Sequence, residues 1–251
     1  MTVASEETPS EEAPWSAWID WSVARFGASL RLACSLSVED TLLVDALAES
    51  AARRGLARSH APQVFVLDTG RLHEESYRVL ASLRERYDLT FDVRAPATRS
   101  LEDLVRNRGP LSFYDSVEAR RECCGIRKVE PLARALDGAS AWMTGQRRAQ
   151  AVTRTSLLPL ERDDAHRGIA KVNPLALVTD EALWAEAERR SVVIHPLHRQ
   201  GYPSIGCAPC TRAVAPGEDA RAGRWWWEDP AHKECGLHVA RSNPQTGGKP
   251  T

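Results

Sequence analysis

Leu30-Arg-Leu-Ala-Cys-Ser35, the stretch Thr41 to Arg54, and Gln63-Val-Phe-Val-Leu67 closed by Asp68-Thr-Gly70 decide the fold. The first is an apolar run of strand length that ends in small polar residues. The second places Leu42, Leu43, Ala46 and Leu47 at helical spacing, with Ser37 or Asp40 positioned to cap it. The third is again a compact strand-length run, followed by helical spacing from Glu74 to Arg86. Outward from there, Phe91-Asp-Val-Arg94 reads as the next strand, 100–108 as a helix, and Trp15 to Phe26 as a helix before the first strand. Strand, turn and helix in alternation predict an α/β domain whose mostly parallel sheet is covered by helices on both faces. In such sheets ligands sit beyond the carboxyl ends of the strands, where Ser35 and Asp68 fall.

Around this core the chain divides by composition. Residues 1–13 are acidic and contain proline, as expected of a solvated tail. The α/β pattern runs over 14–200. From Gly201 to about residue 241 the sequence is rich in Gly, Pro, Cys and Trp without periodicity, an irregular segment folded over the domain, and 242–251 reads as a loose tail. There is no internal repeat. At 251 residues and a net charge of −1, the chain can bury a full core and carries no global field suited to nucleic acid or a membrane. No stretch approaches the roughly 18 consecutive apolar residues of a membrane helix. The acidic start lacks a signal-peptide pattern, so the expected location is cytoplasmic. There thiols stay reduced, and clustered cysteines hold metal more often than they form disulfides.

The six cysteines are unevenly distributed. Cys123 and Cys124 are adjacent, Cys207 and Cys210 form a C-x-x-C, Cys235 stands apart in Lys233-Glu-Cys-Gly-Leu-His238, and Cys34 lies in an apolar run where a small buried residue is expected. Four thiols in two pairs suit either a zinc ion or an iron–sulfur cluster. Two C-x-x-C knuckles are the usual zinc arrangement. An adjacent pair serves the spread sites of a four-iron cube better than one tetrahedral ion, and the spacing therefore favours the cluster. Arg127 and Lys128 are placed to offset thiolate charge. Cys235 is either an inert or extra ligand thiol or a nucleophile, since Lys233 and His238 beside it would lower its pKa.

The remaining signals are anion-seeking. Ser35 and Ser37 precede a helix, which is either a plain capped start or an anion site, and no Walker pattern is present. Asp68 and Gly70 fit an ordinary turn, whereas Arg71 and His73 after them suit a nucleotide-contacting loop. Residues 121–154 hold seven Arg or Lys against three Asp or Glu. Within that excess Arg147, Arg148 and Arg154 suit bidentate contact with phosphate or sulfate. Arg221 and Arg224 are further anion candidates, and Trp225-Trp-Trp227 reads as packing.

Taken in order, Ser-Leu-Ser-Val-Glu-Asp40, Leu-Asp-Thr-Gly-Arg-Leu-His73, Cys-Cys-Gly-Ile-Arg-Lys128, Thr-Gly-Gln-Arg-Arg148, Gly-Tyr-Pro-Ser-Ile-Gly-Cys-Ala-Pro-Cys-Thr-Arg212, Arg-Ala-Gly-Arg-Trp-Trp-Trp-Glu228 and Lys-Glu-Cys-Gly-Leu-His238 resemble the assimilatory adenylyl-sulfate reductases of the phosphoadenylyl-sulfate reductase family. The resemblance implies a Rossmann-like domain of the adenine nucleotide alpha hydrolase-like (PP-loop) type. It also implies one [4Fe-4S] cluster per chain on Cys123, Cys124, Cys207 and Cys210, with Lys128 between cluster and substrate. Cys235 would attack the sulfur of adenosine 5′-phosphosulfate, releasing AMP and leaving a Cys–S–sulfonate. Thioredoxin would then release sulfite, which places the enzyme in sulfate assimilation and cysteine biosynthesis. Ser35, Ser37, Asp68, Arg71, Arg147, Arg148, Arg154, Arg221 and Arg224 would bind the substrate, and His238 would assist Cys235. The sequence departs from this pattern in two places. Ser35-Leu-Ser-Val38 lacks the glycine that related sequences often place before Glu-Asp, and Ala151 follows Gln150 where a serine is common. Rival readings are the 3′-phosphorylated substrate, a non-catalytic cluster-bearing nucleotide-binding protein, and a zinc-binding ATP pyrophosphatase. Oligomeric state, a homo-oligomer included, is left open by the sequence.

Overall fold

The computed structural model describes residues 7–150 and 154–229. Six strands form one sheet: β1 (Leu30–Ala33), β2 (Gln63–Leu67), β3 (Thr90–Arg94), β4 (Ala141–Met143), β5 (Leu160–Asp163) and β6 (Ile169–Val172), in the order β3-β2-β1-β4-β6-β5. All neighbours are parallel except the β5–β6 pair. The expected strands and parallel class are present. The antiparallel edge hairpin was not read from the sequence.

The strands are buried on both sides, and alternate residues go to different cores. Leu30, Leu32, Val64, Val66, Ala141 and Met143 join the larger core with α1 (Trp15–Phe26), α2 (Val38–Arg53), α3 (Glu74–Arg86) and α7 (Asp180–Arg189). Phe65 and Trp142 point the other way and meet Leu132, Ala135 and Leu136 at α6 (Glu130–Ala135). The period of two along each strand fixes this division. α4 (Thr98–Arg108) and α5 (Val117–Cys124) belong to a third cluster, in which Leu104 and Phe113 pack with four cysteines and Trp225.

Between α5 and α6 the chain makes a π-helical turn, Gly125–Val129. Such turns add one residue to a helix and rotate the side chains beyond it, and they recur at functional sites. Here the turn carries Arg127 and Lys128.

Two details of the first βα turn differ from expectation. α2 begins at Val38, before Thr41, and although Ser37 occupies the N-cap position its side chain makes no cap bond. Asp40 lies inside the first turn and does not cap the helix either. The missing glycine has no conformational cost at Ser37, whose φ is −75°. The left-handed residue of this turn is Leu36, at φ 69° and fully buried, so its packing offsets an intrinsic cost of about 1–2 kcal/mol. In the expected acidic tail, Ser10 to Ala13 forms a turn and Glu11 bonds to Arg148 at 2.9 Å.

Candidate active site

In the sheet order β2 lies on one side of β1 and β4 on the other, so the chain reverses direction across the sheet between β1 and β4. A cavity of about 500 Å³ opens at the carboxyl ends of these strands. Ligands of open α/β sheets bind at that reversal. Its walls come from the loops after β1, β2 and β4, the π-turn, and the irregular segment after residue 203.

Asp40 holds two of these loops together. Its carboxylate, 5 % exposed, accepts from the Ser35 N–H at 2.6 Å and the Ser35 hydroxyl at 2.5 Å, and it also accepts from the Gly145 backbone N–H. Burial raises its pKa to about 6, with a further push from Glu39, against the opposing pull of the Ser35 and Gly145 bonds. Gly145 is required by proximity: a Cβ there would lie 2.2 Å from Asp40 Oδ1. Beside it, Arg147 is buried against Glu39 at 2.9 Å and Asp180 at 2.6 Å. The Gln150 amide donates to the same Glu39 oxygen at 3.0 Å and its carbonyl accepts from Arg154. None of this network was read from the sequence. Asp40 and Glu39 face residues more than a hundred positions away, and no local pattern marks that.

The structure sorts the sequence-derived substrate residues into groups. Ser35, Ser37, Arg154, Arg221 and Arg224 line the cavity together with Lys128. The two serine hydroxyls lie 3.0 Å apart. Arg224 passes over Gly206, where a Cβ would come within 2.4 Å of its Nη2, and it bonds to Ser204 and the Ile205 carbonyl. Arg147 also lines the cavity, but two carboxylates already engage it. Arg148 is not among the lining residues: it donates to the Leu157 carbonyl at 2.8 Å and pairs with Glu11. Asp68 anchors its own turn, accepting from the Gly70 N–H at 2.8 Å and the Tyr77 hydroxyl at 2.9 Å. Arg71 stacks on Phe113, bonds to the Pro110 carbonyl and faces the cysteines. Cys235 and His238 lie outside the described residues.

Cys123, Cys124, Cys207 and Cys210 are all buried, in no disulfide, around one small cavity with Arg71, Arg120, Arg127, Lys128 and Trp225. Among the described residues no three Cys, His, Asp or Glu side chains gather closely enough for a single metal ion. Lys128 and Cys207 line both cavities, so the cysteine centre and the larger pocket share a wall. Burial would raise the Cys207 thiol, yet Lys128, the Thr69 hydroxyl, Arg224 and Arg127 bring it below its ordinary value. Cys210 is pushed up to about 12 by burial and by Cys207. The segment is tied to the β2 loop by the Ala208 N–H donating to the Arg71 carbonyl at 2.8 Å, and the π-turn is tied to the same loop by Arg127 donating to the Thr69 carbonyl at 2.5 Å. Arg120 and Glu228, which are 0 % and 3 % exposed, form a bidentate pair at 2.9 and 2.7 Å that joins α5 to the chain just beyond Trp227. Cys34 is buried, as expected, and its thiol is raised by burial and by Asp40.

A mostly parallel sheet with a nucleotide-sized pocket at its reversal point, walled by hydroxyls and cations, defines an α/β protein of the nucleotide-binding class. The chain belongs to the phosphoadenosine phosphosulfate reductase family, whose domain matches residues 29–213. It is 48 % identical over 215 residues to the adenosine 5′-phosphosulfate reductase of Burkholderia cepacia, covering 86 % of this chain and 82 % of that one. It is 48 % identical over 209 residues to the protein of the same name from Neisseria meningitidis serogroup B, covering 83 % and 81 %. In three dimensions it resembles the phosphoadenylyl-sulfate reductase of Candida auris in its phosphate complex. That match has a TM-score of 0.65 and 22 % identity, over 81 % of this chain and 91 % of that one. The Candida glabrata FMN adenylyltransferase in complex with FAD and pyrophosphate shares the fold, at a TM-score of 0.54 and 14 % identity over 88 % and 76 %. Fold class and family thus agree with the sequence reading. No helix among the described residues is long and apolar enough to cross a membrane.

Proposed function

We propose that the chain reduces adenosine 5′-phosphosulfate to sulfite and AMP, with thioredoxin as the reductant and Cys235 as the nucleophile. The shared wall carries this reading: Lys128 and Cys207 border both the switch-point pocket and the four-thiol centre. The named relatives supply the substrate class.

The four thiols fit an iron–sulfur group. They are soft donors, all buried, and buried N–H donors around them have no acceptor among the described residues: Arg71 Nη1, Arg127 Nε and Trp225 Nε1. Thiolate and sulfide sulfurs would provide those acceptors. Cys123, Cys124, Cys207 and Cys210 would hold one [4Fe-4S] cluster, which supplies a fixed charge distribution beside the pocket. The rest of the chemistry belongs to the chain's own side chains. Ser37 presents its hydroxyl to the phosphosulfate, with Ser35 beside it donating to Asp40, while Arg154, Arg221, Arg224 and Lys128 oppose its charge and that of the leaving phosphate. The Cys235 thiolate forms a bond to the sulfate sulfur as the sulfur–oxygen bond to AMP breaks, and the electron pair leaves on the AMP phosphate. A thioredoxin thiolate then attacks Cys235 Sγ, sulfite departs with the S–S bonding pair, and the second thioredoxin thiol resolves the mixed disulfide.

Mass spectrometry of the purified enzyme mixed with adenosine 5′-phosphosulfate, without thioredoxin, tests the reading. A sulfonate adduct on Cys235 is expected; full sulfite formation by Cys235→Ser would overturn it. Anaerobic metal analysis should give about four irons per chain, and zinc without iron would refute the cofactor. A higher kcat/KM for the 3′-phosphorylated nucleotide would refute the substrate.

A further inference from the structure

The first N–H of α2 has an unusual partner. Ser37 occupies the N-cap position without using its side chain there, and Val38 N–H donates instead to His198 Nε2 at 3.2 Å. The other ring nitrogen of His198, Nδ1, lies 2.9 Å from the Tyr202 carbonyl. These two bonds define the tautomer. Nδ1–H donates to Tyr202 and Nε2 accepts from Val38, so the ring is neutral; burial lowers its pKa and favours that form. The ring also stands edge-on to Trp184, with centroids 5.5 Å apart, and Trp184 lines the pocket.

An N-cap side chain ordinarily accepts from the second or third N–H of its helix, so the N–H of the first residue is left to solvent or to a group brought from elsewhere. Here the acceptor comes from the turn Pro196–Gln200. The bond fixes the backbone immediately after Ser37. The Ser37 hydroxyl lies 3.0 Å from that of Ser35, on the pocket wall. Tyr202, on the far side of the imidazole, opens the segment that continues to Cys207 and Cys210. We propose that His198 is a positioning residue: by holding the first N–H of α2 it fixes the turn that presents the Ser37 hydroxyl to the pocket, and it ties the phosphate loop to the cysteine-bearing segment. This rests on the reading of the pocket as a phosphosulfate site. It assigns a role to a residue that touches neither substrate nor cysteine.

Three variants of the cluster-loaded enzyme test it, assayed with adenosine 5′-phosphosulfate and thioredoxin. His198→Gln keeps an acceptor near the Nε2 position, His198→Asn keeps a donor near Nδ1, and His198→Leu keeps neither. Loss of the Val38 bond should raise KM about tenfold in Leu and Asn, with kcat within about twofold, and Gln should recover most of the affinity. Iron content and the visible spectrum should match wild type in all three. Recovery by Asn and not by Gln would overturn the proposal, because the Tyr202 contact would then be the one that matters. Parallel loss of kcat and iron in Asn and Gln, without a change in KM, would overturn it as well, leaving only fold support. If Leu misfolds, the Gln–Asn contrast still decides. Failure of the functional reading looks different: the wild-type enzyme itself would not turn over the nucleotide.

Discussion

Gly145→Ala is the sharpest perturbation of the pocket. The added methyl would lie 2.2 Å from Asp40 Oδ1 and 2.8 Å from Glu39 Cβ, both on the first turn of α2. Neither neighbour is the loose end of a flexible chain. Asp40 is pinned by Ser35 at 2.6 and 2.5 Å, and Glu39 by Arg147. To admit the methyl, either the β4 loop moves away from α2 or the carboxylate turns out of its bonds. Overpacking of this kind costs about 1–3 kcal/mol, and a hydrogen bond to a charged group contributes about 1.5–3 kcal/mol. The net loss is about 3 kcal/mol, equivalent to roughly a hundredfold in nucleotide affinity if it falls on loop order. If it falls on global stability instead, the melting temperature drops by about 6–12 °C. Titration calorimetry with adenosine 5′-phosphosulfate and a thermal melt distinguish the two. Gly125→Ala is the control, since its φ is −55° and a Cβ there meets nothing within 4 Å. Should Gly145→Ala bind and melt like the control, the two loops are not held together as described.

Buried charge sets the other expected outcomes. Glu228→Gln leaves the fully buried Arg120 without its carboxylate and should cost about 3–5 kcal/mol; the double variant Arg120→Met with Glu228→Gln should recover much of this in a urea-denaturation cycle. The Asp40 pKa, raised to about 6 by burial, means that the fold favours the protonated acid. That contribution is complete below pH ~4 and is lost as the pH rises through about 6, worth about 3 kcal/mol. The stability difference between wild type and Asp40→Asn should therefore move against wild type from pH 4 to 7, and a flat difference would contradict it. Arg224→Ala should raise KM about 10–100-fold through loss of charged contacts. Arg148→Ala should leave KM within about twofold, because its partners are Glu11 and a carbonyl outside the pocket.

What the sequence disclosed depended on whether the signal was local. β2 was legible because Val64-Phe-Val-Leu67 is an unbroken apolar run buried on both faces. The β5–β6 hairpin was not: Leu160-Glu-Arg-Asp163 carries charge on three of its four residues, as an edge strand tolerates and a central strand does not. The cysteine pairs were legible for another reason. Two close pairs of thiols have few uses besides holding a metal group, and the fold does gather them around one cavity.

Arginine gives no such guidance. Arg147 and Arg148 are adjacent and chemically identical, so the sequence assigned both to the anion. The backbone enters a 3-10 turn at Arg148, and one side chain goes inward to Glu39 and Asp180 while the other goes outward to Glu11. A guanidinium is satisfied by whichever carboxylate the fold brings near, and carboxylates distant in sequence decide the outcome. The same holds for Asp40, which looks like a helix-capping residue in the sequence and instead closes the pocket against Gly145. Residues whose chemistry is rare were therefore assigned from sequence, and residues whose partners are common had to wait for the fold. The Arg224→Ala and Arg148→Ala pair puts that distinction to the test, since equal effects on KM would mean that burial and partner do not determine which arginines meet the substrate.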